Sequence, residues 1–314
     1  MIRYTLRRVA FFFPVLLAAS ALTFFAIALL PGDPALAFVG EQAEQEQIDH
    51  FHRTHGLDRP ILERYVDWLA GMVRLDPGRG YLGGATIGDE LRTRFPVTAM
   101  IMVFIFGFTV FFGTAFGIVA AAMQNRWPDY CLRFFSVLGQ AIPDFYLLTL
   151  LLLIPAILWR YSPPFGYVPF WEDPLRALQQ VVPPTLLISI GGTATLLRVT
   201  RAAMLEVLRQ DYIRTARARG VGQFPILLRH AAPNAALPVM TLAGALMGGL
   251  LGGTVILENI TSLPGLGQYT FNAVVQQDLN VVMAMTMYAA FLVLTTNLIV
   301  DLLYAAVDPR IRYR

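Results

Sequence analysis

Asp211-Tyr212-Ile213-Arg214-Thr215-Ala216-Arg217-Ala218-Arg219-Gly220 is a charged ten-residue stretch in a chain where charge is scarce. Asp211 suits the N-cap of a helix, 212–219 reads as two helical turns, and Gly220 stands where a helix stops in the left-handed region. Arg214, Arg217 and Arg219 collect toward the C-terminal end, where the helix dipole favours cations. Tyr212, Ile213 and Ala216 can share an apolar face. Two helical turns are marginal in water by propensity alone, so the stretch needs a surface to hold it. That surface is either a leaflet whose phosphates take the arginines or a partner protein.

Moving outward, apolar runs flank this stretch on both sides, at 181–197 and 235–257. Four more runs follow the same pattern, at 9–30, 97–123, 134–158 and 281–303. About 20 apolar residues are needed to cross a bilayer as a helix, which predicts six transmembrane helices. Only Asp144 and Asp301 place a charge inside these limits. The run at 181–197 opens with Pro183-Pro184, acceptable in a first helical turn where the missing N–H is not needed. It is expected to continue as helix beyond Arg198. The composition demands the same class: 56% of residues are apolar, 14% are charged, and mean hydropathy is +0.57 over 314 residues. The expected fold is therefore all-α and integral to a membrane.

All 24 basic residues are arginine. Without lysine the chain has neither a Walker A phosphate loop nor a Schiff-base amine, and with Cys131 alone it has no internal disulfide. If both termini lie inside, the inner segments carry 15 arginines and the outer ones 9, with 4 against 15 acidic residues. Arginine in short loops sets orientation, so cytoplasmic termini are predicted. Arg3, Arg7 and Arg8 precede the first run, and Ala35-Leu36-Ala37 resembles a cleavage site. The 22-residue run nevertheless exceeds the 7–15 of a signal core, and the span is expected to be retained.

The expected organisation is an arm and first helix at 1–30, an external helical segment at 31–96, a five-helix core at 97–307 with the cytoplasmic loop 198–234, and a tail at 308–314. Ile61, Leu62, Tyr65, Val66 and Leu69 recur at helical spacing in the external segment, and Gly78, Gly80, Gly83 and Gly84 mark a loop after it. No segment is large enough for a soluble ATPase or kinase domain.

Gly244, Gly248 and Gly252 form a small-residue stripe in the fifth run, with Gly113 and Gly117 in the second; such stripes let helices approach closely in lipid. Asp144 is costly at membrane depth and is a candidate pathway residue, with Thr195 and Asn297 as weaker ones. Asp301 and Glu258 sit near run ends, where hydration makes charge cheap. His50, His52 and His55 are clustered, and imidazole suits nickel, copper or zinc. Their spacing does not put all three on one helix face, which favours a solvated surface. His230 is read as structural.

The stretch from Tyr212 to Gly220, with Leu228-Arg229-His230-Ala231 and Pro233-Asn234-Ala235, resembles the cytoplasmic loop of ABC-importer permeases, specifically the dipeptide/oligopeptide/nickel subfamily. Of the general loop pattern, Ala216, Gly220 and Pro233 are kept. The positions at Arg214, Thr215, His230 and Ala232 depart from it. Tyr4 to Arg8, Leu30-Pro31-Gly32-Asp33-Pro34, Gly56-Leu57-Asp58-Arg59-Pro60, Pro264-Gly265-Leu266-Gly267 and Asp308-Pro309-Arg310 extend the resemblance along nearly the whole chain. Asp144 stands where a small polar residue is expected, and Pro77 interrupts an expected Asp-Leu-Gly.

The resemblance implies a type I importer fold in a bacterial inner membrane. Its implied partners are a second homologous permease, two ATPase subunits that bind the ATP and magnesium, an external substrate-binding protein and lipid. It implies no cofactor in this chain and no nucleic-acid partner. The residues from Asp211 to Gly220 would be the coupling helix. The cargo would be di- or oligopeptides, with a nickel chelate or an oligosaccharide as alternatives. A stand-alone ion-coupled transporter is the competing reading, but no convincing inverted repeat is present. A membrane-embedded enzyme lacks any nucleophile–base or metal constellation.

Overall fold

The computed structural model describes residues 2–30, 32–40, 43–81, 84–160 and 167–307, with backbone alone at 2–7, 251 and 301–307. Pro31, Gly83, the ending Asp308-Pro309-Arg310 and the side chains of Arg3, Arg7 and Asp301 lie outside the described residues. The described chain is helical: α1 (Ile2–Ala28), α2 (Pro34–Val39), α3 (Gln45–His55), α4 (Ile61–Val73), α5 (Ile87–Ala122), α6 (Trp127–Ala141), α7 (Asp144–Trp159), α8 (Pro174–Leu208), α9 (Asp211–Ala218), α10 (Gln223–Pro225), a π-helical turn (Ile226–Ala231), α11 (Ala232–Thr261), α12 (Leu266–Val275) and α13 (Leu279–Val307).

Among the described residues five helical runs are long and apolar enough to cross a membrane, or six if the bent pair α6–α7 counts as one. That pair corrects the expectation of a straight helix over 134–158: α6 and α7 meet at 93°. Pro143 is the cause, because a residue before proline is pushed out of the α region, and Ile142 is extended at φ −93°, ψ 122°. A second correction concerns Pro183-Pro184. Helix α8 starts at Pro174, capped by Asp173, whose carboxylate accepts the Arg176 N–H at 3.1 Å. The two prolines are thus interior to the helix, not in its first turn. The carbonyls that these prolines leave without an N–H partner are those of Gln179 and Gln180, while Thr185 Oγ1 adds a bond to the Val181 carbonyl at 2.7 Å. Beyond Arg198 the helix does continue, to Leu208.

The chain divides into two compact units, one of 1–98 with 264–298 and the other of 99–263 with 299–314. In the first, Ile87, Leu266, Ala273, Val281, Ala284 and Met285 form the core, with Met72 and Tyr269 packed on it. The Leu266 N–H, at the unsatisfied start of α12, is taken by Thr98 Oγ1 at 2.9 Å. Phe24 and Phe25 of α1 pack on Tyr65 of α4, and Phe38 of α2 stacks on Phe51 of α3 with a centroid separation of 5.6 Å. Helix α5 begins at Ile87, ten residues before the apolar run, because Asp89 and Glu90 suit a first helical turn.

In the second unit α8 is central, packing on α6, α7 and α11. Close approach is set by glycine. A Cβ added at Gly113 would come within 2.7 Å of Leu196, at Gly117 within 2.9 Å of the Leu197 carbonyl oxygen, at Gly139 within 2.9 Å of Ile190, and at Gly192 within 2.9 Å of Thr109. Leu196 is buried together with Val239 and Ala243 of α11.

Candidate functional site

Helix α9 is short, and its sequence explains how it is held. Its N-cap is Gln210, not Asp211, which corrects the expected start: Gln210 is extended (φ −68°, ψ 150°) and its carbonyl accepts the Ile213 N–H at 3.1 Å. Asp211 becomes the first helical residue, where a carboxylate still meets the positive dipole end. It also lies 3.3 Å from Arg214, a fully solvated contact of little energetic weight. At the other end Gly220 adopts φ +77°. The Gly220 N–H reaches the Arg217 carbonyl at 3.0 Å and the Val221 N–H the Ala216 carbonyl at 3.2 Å, the paired closure that lets a helix end in the left-handed region.

Of the expected apolar face, Ile213 is fully buried, Ala216 is half-buried and Tyr212 is exposed. Tyr212 instead donates its hydroxyl to the His230 carbonyl at 3.4 Å, and Asn234 Nδ2 donates to the same carbonyl at 2.7 Å. Helix α9 is therefore moored on the π-helical turn. That turn joins Ala231 and Ala235 to Ala121, Ala203 and Met204 in one buried cluster, at the ends of α5 and α8 and the start of α11. Thr215, Arg217, Ala218 and Arg219 remain exposed, as does Arg214. The result is a stub rooted by one buried isoleucine, with an arginine-bearing surface turned outward, joined to α8 by the turn Arg209-Gln210 and toward α11 by residues 219–222, α10 and the π-helical turn.

One link was invisible in the sequence. Asp129, in the first turn of α6, is fully buried and receives Arg201 of α8 through Nε to Oδ1 and Nη2 to Oδ2, both at 2.7 Å, while the Asn125 N–H donates to Oδ2 at 3.0 Å.

The nominated polar residues fall in two places. Asp144 opens α7 at the bend, and its Oδ1 would lie 3.5 Å from a Cβ on Gly191. One turn along α8, Thr195 Oγ1 accepts from Gln140 Nε2 at 2.7 Å and donates to the Gly191 carbonyl at 3.0 Å. Asp144 and Thr195 are thus brought to one polar spot at the α6–α7 break. Asn297 belongs to the first unit and is exposed on α13. In the fifth run, a Cβ on Gly244 would collide with Val300, whereas Gly252 has open space beside it.

Glu258 does not sit in hydrated surroundings as expected. Helix α11 runs on to Thr261, and the Glu258 side chain is fully buried. Each histidine of the trio has its own partner: His52 Nε2 meets Asp33 Oδ1 at 2.8 Å, His55 Nδ1 the Phe51 carbonyl at 2.9 Å, and His50 Nδ1 the Thr54 hydroxyl at 3.5 Å. Among the described residues no group of three His, Cys, Asp or Glu side chains could hold a metal ion.

Residues 113–313 match the family of binding-protein-dependent transport system inner membrane components, and 1–103 match the N-terminal family of the same transport systems. A Brucella abortus (strain 2308) protein named for a peptide transport system permease is 37% identical over 308 residues, 98% of each chain. A Brucella suis biovar 1 (strain 1330) protein named likewise is 36% identical over 308 residues, again 98% of each. The glutathione transport system permease protein GsiC of Escherichia coli (strain K12) is 33% identical over 314 residues, the whole of both chains. The chain belongs to the binding-protein-dependent transport system inner membrane components and is a multi-pass permease subunit with the type I fold of that family.

Proposed function

We propose that this permease forms half of the translocation pathway of an ATP-driven importer and receives the motion of an ATPase through α9. The observation that carries the reading is the build of α9, whose glycine-closed C-terminal end and buried Ile213 make it a stiff stub between α8 and α11. A rigid-body switch needs such a connector rather than a floppy loop. Closure of two nucleotide-bound ATPase subunits would push on the exposed face bearing Arg214, Arg217 and Arg219. The push would tilt α8 and α11 and open the pathway to the other side.

The same reading puts both termini in the cytoplasm and pairs the chain with a second permease, two ATPases and an external binding protein. ATP and magnesium are bound by the partners, and this chain acts without chemistry of its own. The polar spot of Asp144 and Thr195 at the α6–α7 break is the candidate pathway element. The solute class is di- and oligopeptides, glutathione-like tripeptides included. Support comes from the names of the Brucella and Escherichia coli relatives, which cover nearly all of this chain.

The test is reconstitution of the full assembly in liposomes with its external binding protein and ATP. Wild-type protein is expected to import peptide only with ATP. Gly220→Asp is expected to insert and assemble yet import nothing, because it sets a carboxylate at the negative end of the α9 dipole beside the exposed arginine face. Uptake by this chain alone on an ion gradient, or undiminished uptake by the Gly220→Asp assembly, would overturn the reading.

A further inference from the structure

We infer that α4, the longest helix between α1 and α5, is an interfacial helix whose stripe of Leu62, Val66, Leu69 and Val73 is immersed among lipid acyl chains. It would thus be a membrane contact rather than part of a water-exposed segment.

Depth is read from α1, whose apolar span covers Arg8–Ala28. Ser20 lies eight residues before Ala28, about 12 Å along the helix at 1.5 Å per residue. Tyr65 of α4 reaches it, with its hydroxyl 2.9 Å from Ser20 Oγ. The Tyr65 and Trp68 rings rest on Phe24, one turn above Ser20, with centroids 5.4 and 5.6 Å away. The preceding residue, Arg64, goes elsewhere: it lines a cavity of about 210 Å³ with Ile27, Ala28, Leu30 and Asp33, at and beyond the end of α1. Two consecutive residues thus mark two depths. Tyr65 points into the hydrocarbon and Arg64 out toward the aqueous end.

Those two residues fix the direction of every other face of α4. At about 100° per residue, Leu62, Val66, Leu69 and Val73 cluster on one line roughly 140–180° from Arg64 and within about 100° of Tyr65. Their direction is away from the aqueous end. Leu62, Val66 and Val73 are 66%, 61% and 77% exposed, far too much apolar surface for one 13-residue helix to present to water. Asp67, paired to Arg59 at 2.6 Å, lies about 60° from Arg64 on the opposite arc, and Glu63 borders the stripe on its polar edge, about 60° from Val66. An apolar stripe on the side away from Arg64, with Asp67 on the other side, on a helix tied to α1 through Ser20 and Phe24, is the arrangement of an amphipathic helix at a lipid–water boundary.

The experiment uses the full-length protein with Cys131→Ser, which removes the one native cysteine. Val66→Cys or Asp67→Cys is then introduced and labelled with nitrobenzoxadiazole. Each labelled protein is placed in phospholipid nanodiscs, where both faces are open, alone and assembled with its partner subunits. The label at Val66→Cys is expected to emit at shorter wavelength, to be quenched by doxyl-phospholipid, and to resist aqueous iodide. The label at Asp67→Cys should show the opposite preference, with iodide quenching at least threefold stronger than at Val66→Cys. Equal iodide quenching at both positions would overturn the inference. So would loss of doxyl quenching at Val66→Cys on assembly, because a protein partner would then cover the stripe. Neither outcome depends on what the protein transports.

Discussion

Arg201 holds Asp129 by two parallel hydrogen bonds of 2.7 Å, joining α8 to the first turn of α6 across 72 residues of chain. The planar fork of an arginine fits a carboxylate in this way, and no lysine can copy it. The pair lies between the moored foot of α8 and the bend at Ile142, so a displacement of α8 carries α6 with it.

Removing one partner strands a buried charge. Asp129→Ala is expected to destabilise the protein by about 3–5 kcal/mol, the usual consequence of breaking a buried pair from one side. Arg201→Lys should retain only part of the loss-sensitive contact. The double variant Asp129→Leu/Arg201→Met should melt closer to wild type than Asp129→Ala does. Thermal unfolding in detergent, followed by intrinsic fluorescence, measures all three. Equal melting temperatures for wild type and Asp129→Ala would refute the expectation.

Gly220 sits at φ +77° with no atom within 4 Å of an added Cβ, so a substitution there meets backbone strain alone. Gly220→Ala should weaken the end of α9 by about 1–2 kcal/mol, the left-handed penalty for an L-residue. Gly220→Asn should be milder, because asparagine tolerates that region. In reconstituted assemblies the order of ATP-dependent uptake is expected to be wild type, Asn, Ala. An equal rate for Ala would separate helix closure from coupling.

Packing glycines should divide into two kinds. Gly117→Ala forces a methyl against Thr200 and the Leu197 carbonyl, and overpacking of this sort costs about 1–3 kcal/mol. Gly252→Ala enters open space and should leave the isolated chain's melting temperature within 1–2 °C of wild type, a shift of the size a surface change gives. If Gly252→Leu impairs assembly while the isolated chain stays intact, that face of α11 belongs to a subunit contact.

Asp33 gives a pH-dependent signature. Partial burial pushes its carboxyl upward, but hydrogen bonds from His52 and the Ala35 N–H outweigh this and hold it below its ordinary 3.8. A depressed carboxylate contributes stability above its unfolded pKa and loses it as pH falls through the folded value. Asp33→Asn should therefore melt below wild type at pH 6–7, and the gap should close below about pH 4. A constant gap from pH 7 to pH 3 would contradict the assignment.

Span count was legible because apolar length alone reports it, and Gly220 was legible because a helix stop has a local residue signature. What length and hydropathy do not report is direction. Ile142-Pro143 lay inside an apolar run, and a bend of 93° costs no hydropathy, so one helix was expected where two stand. Pro183-Pro184 was placed at a helix start because interior proline is costly in general, yet the cap at Asp173 starts α8 at Pro174, well upstream of the pair. Asp129 and Arg201 are 72 residues apart, and nothing local to either names the other. Asp144 and Thr195 were chosen separately for their polarity. Their meeting is a product of the bend, which no pattern along the chain encodes.

The π-helical turn at Ile226–Ala231 gives the foot of α11 a spare residue, because its hydrogen bonds reach one position further than those of an α turn. Loss of one residue there can be absorbed by tightening to the ordinary pitch, leaving Val239 and Ala243 aimed at Leu196. The same deletion a few residues later would swing that seam by about 100°. This junction is where a one-residue deletion can be absorbed without retuning the helix that follows.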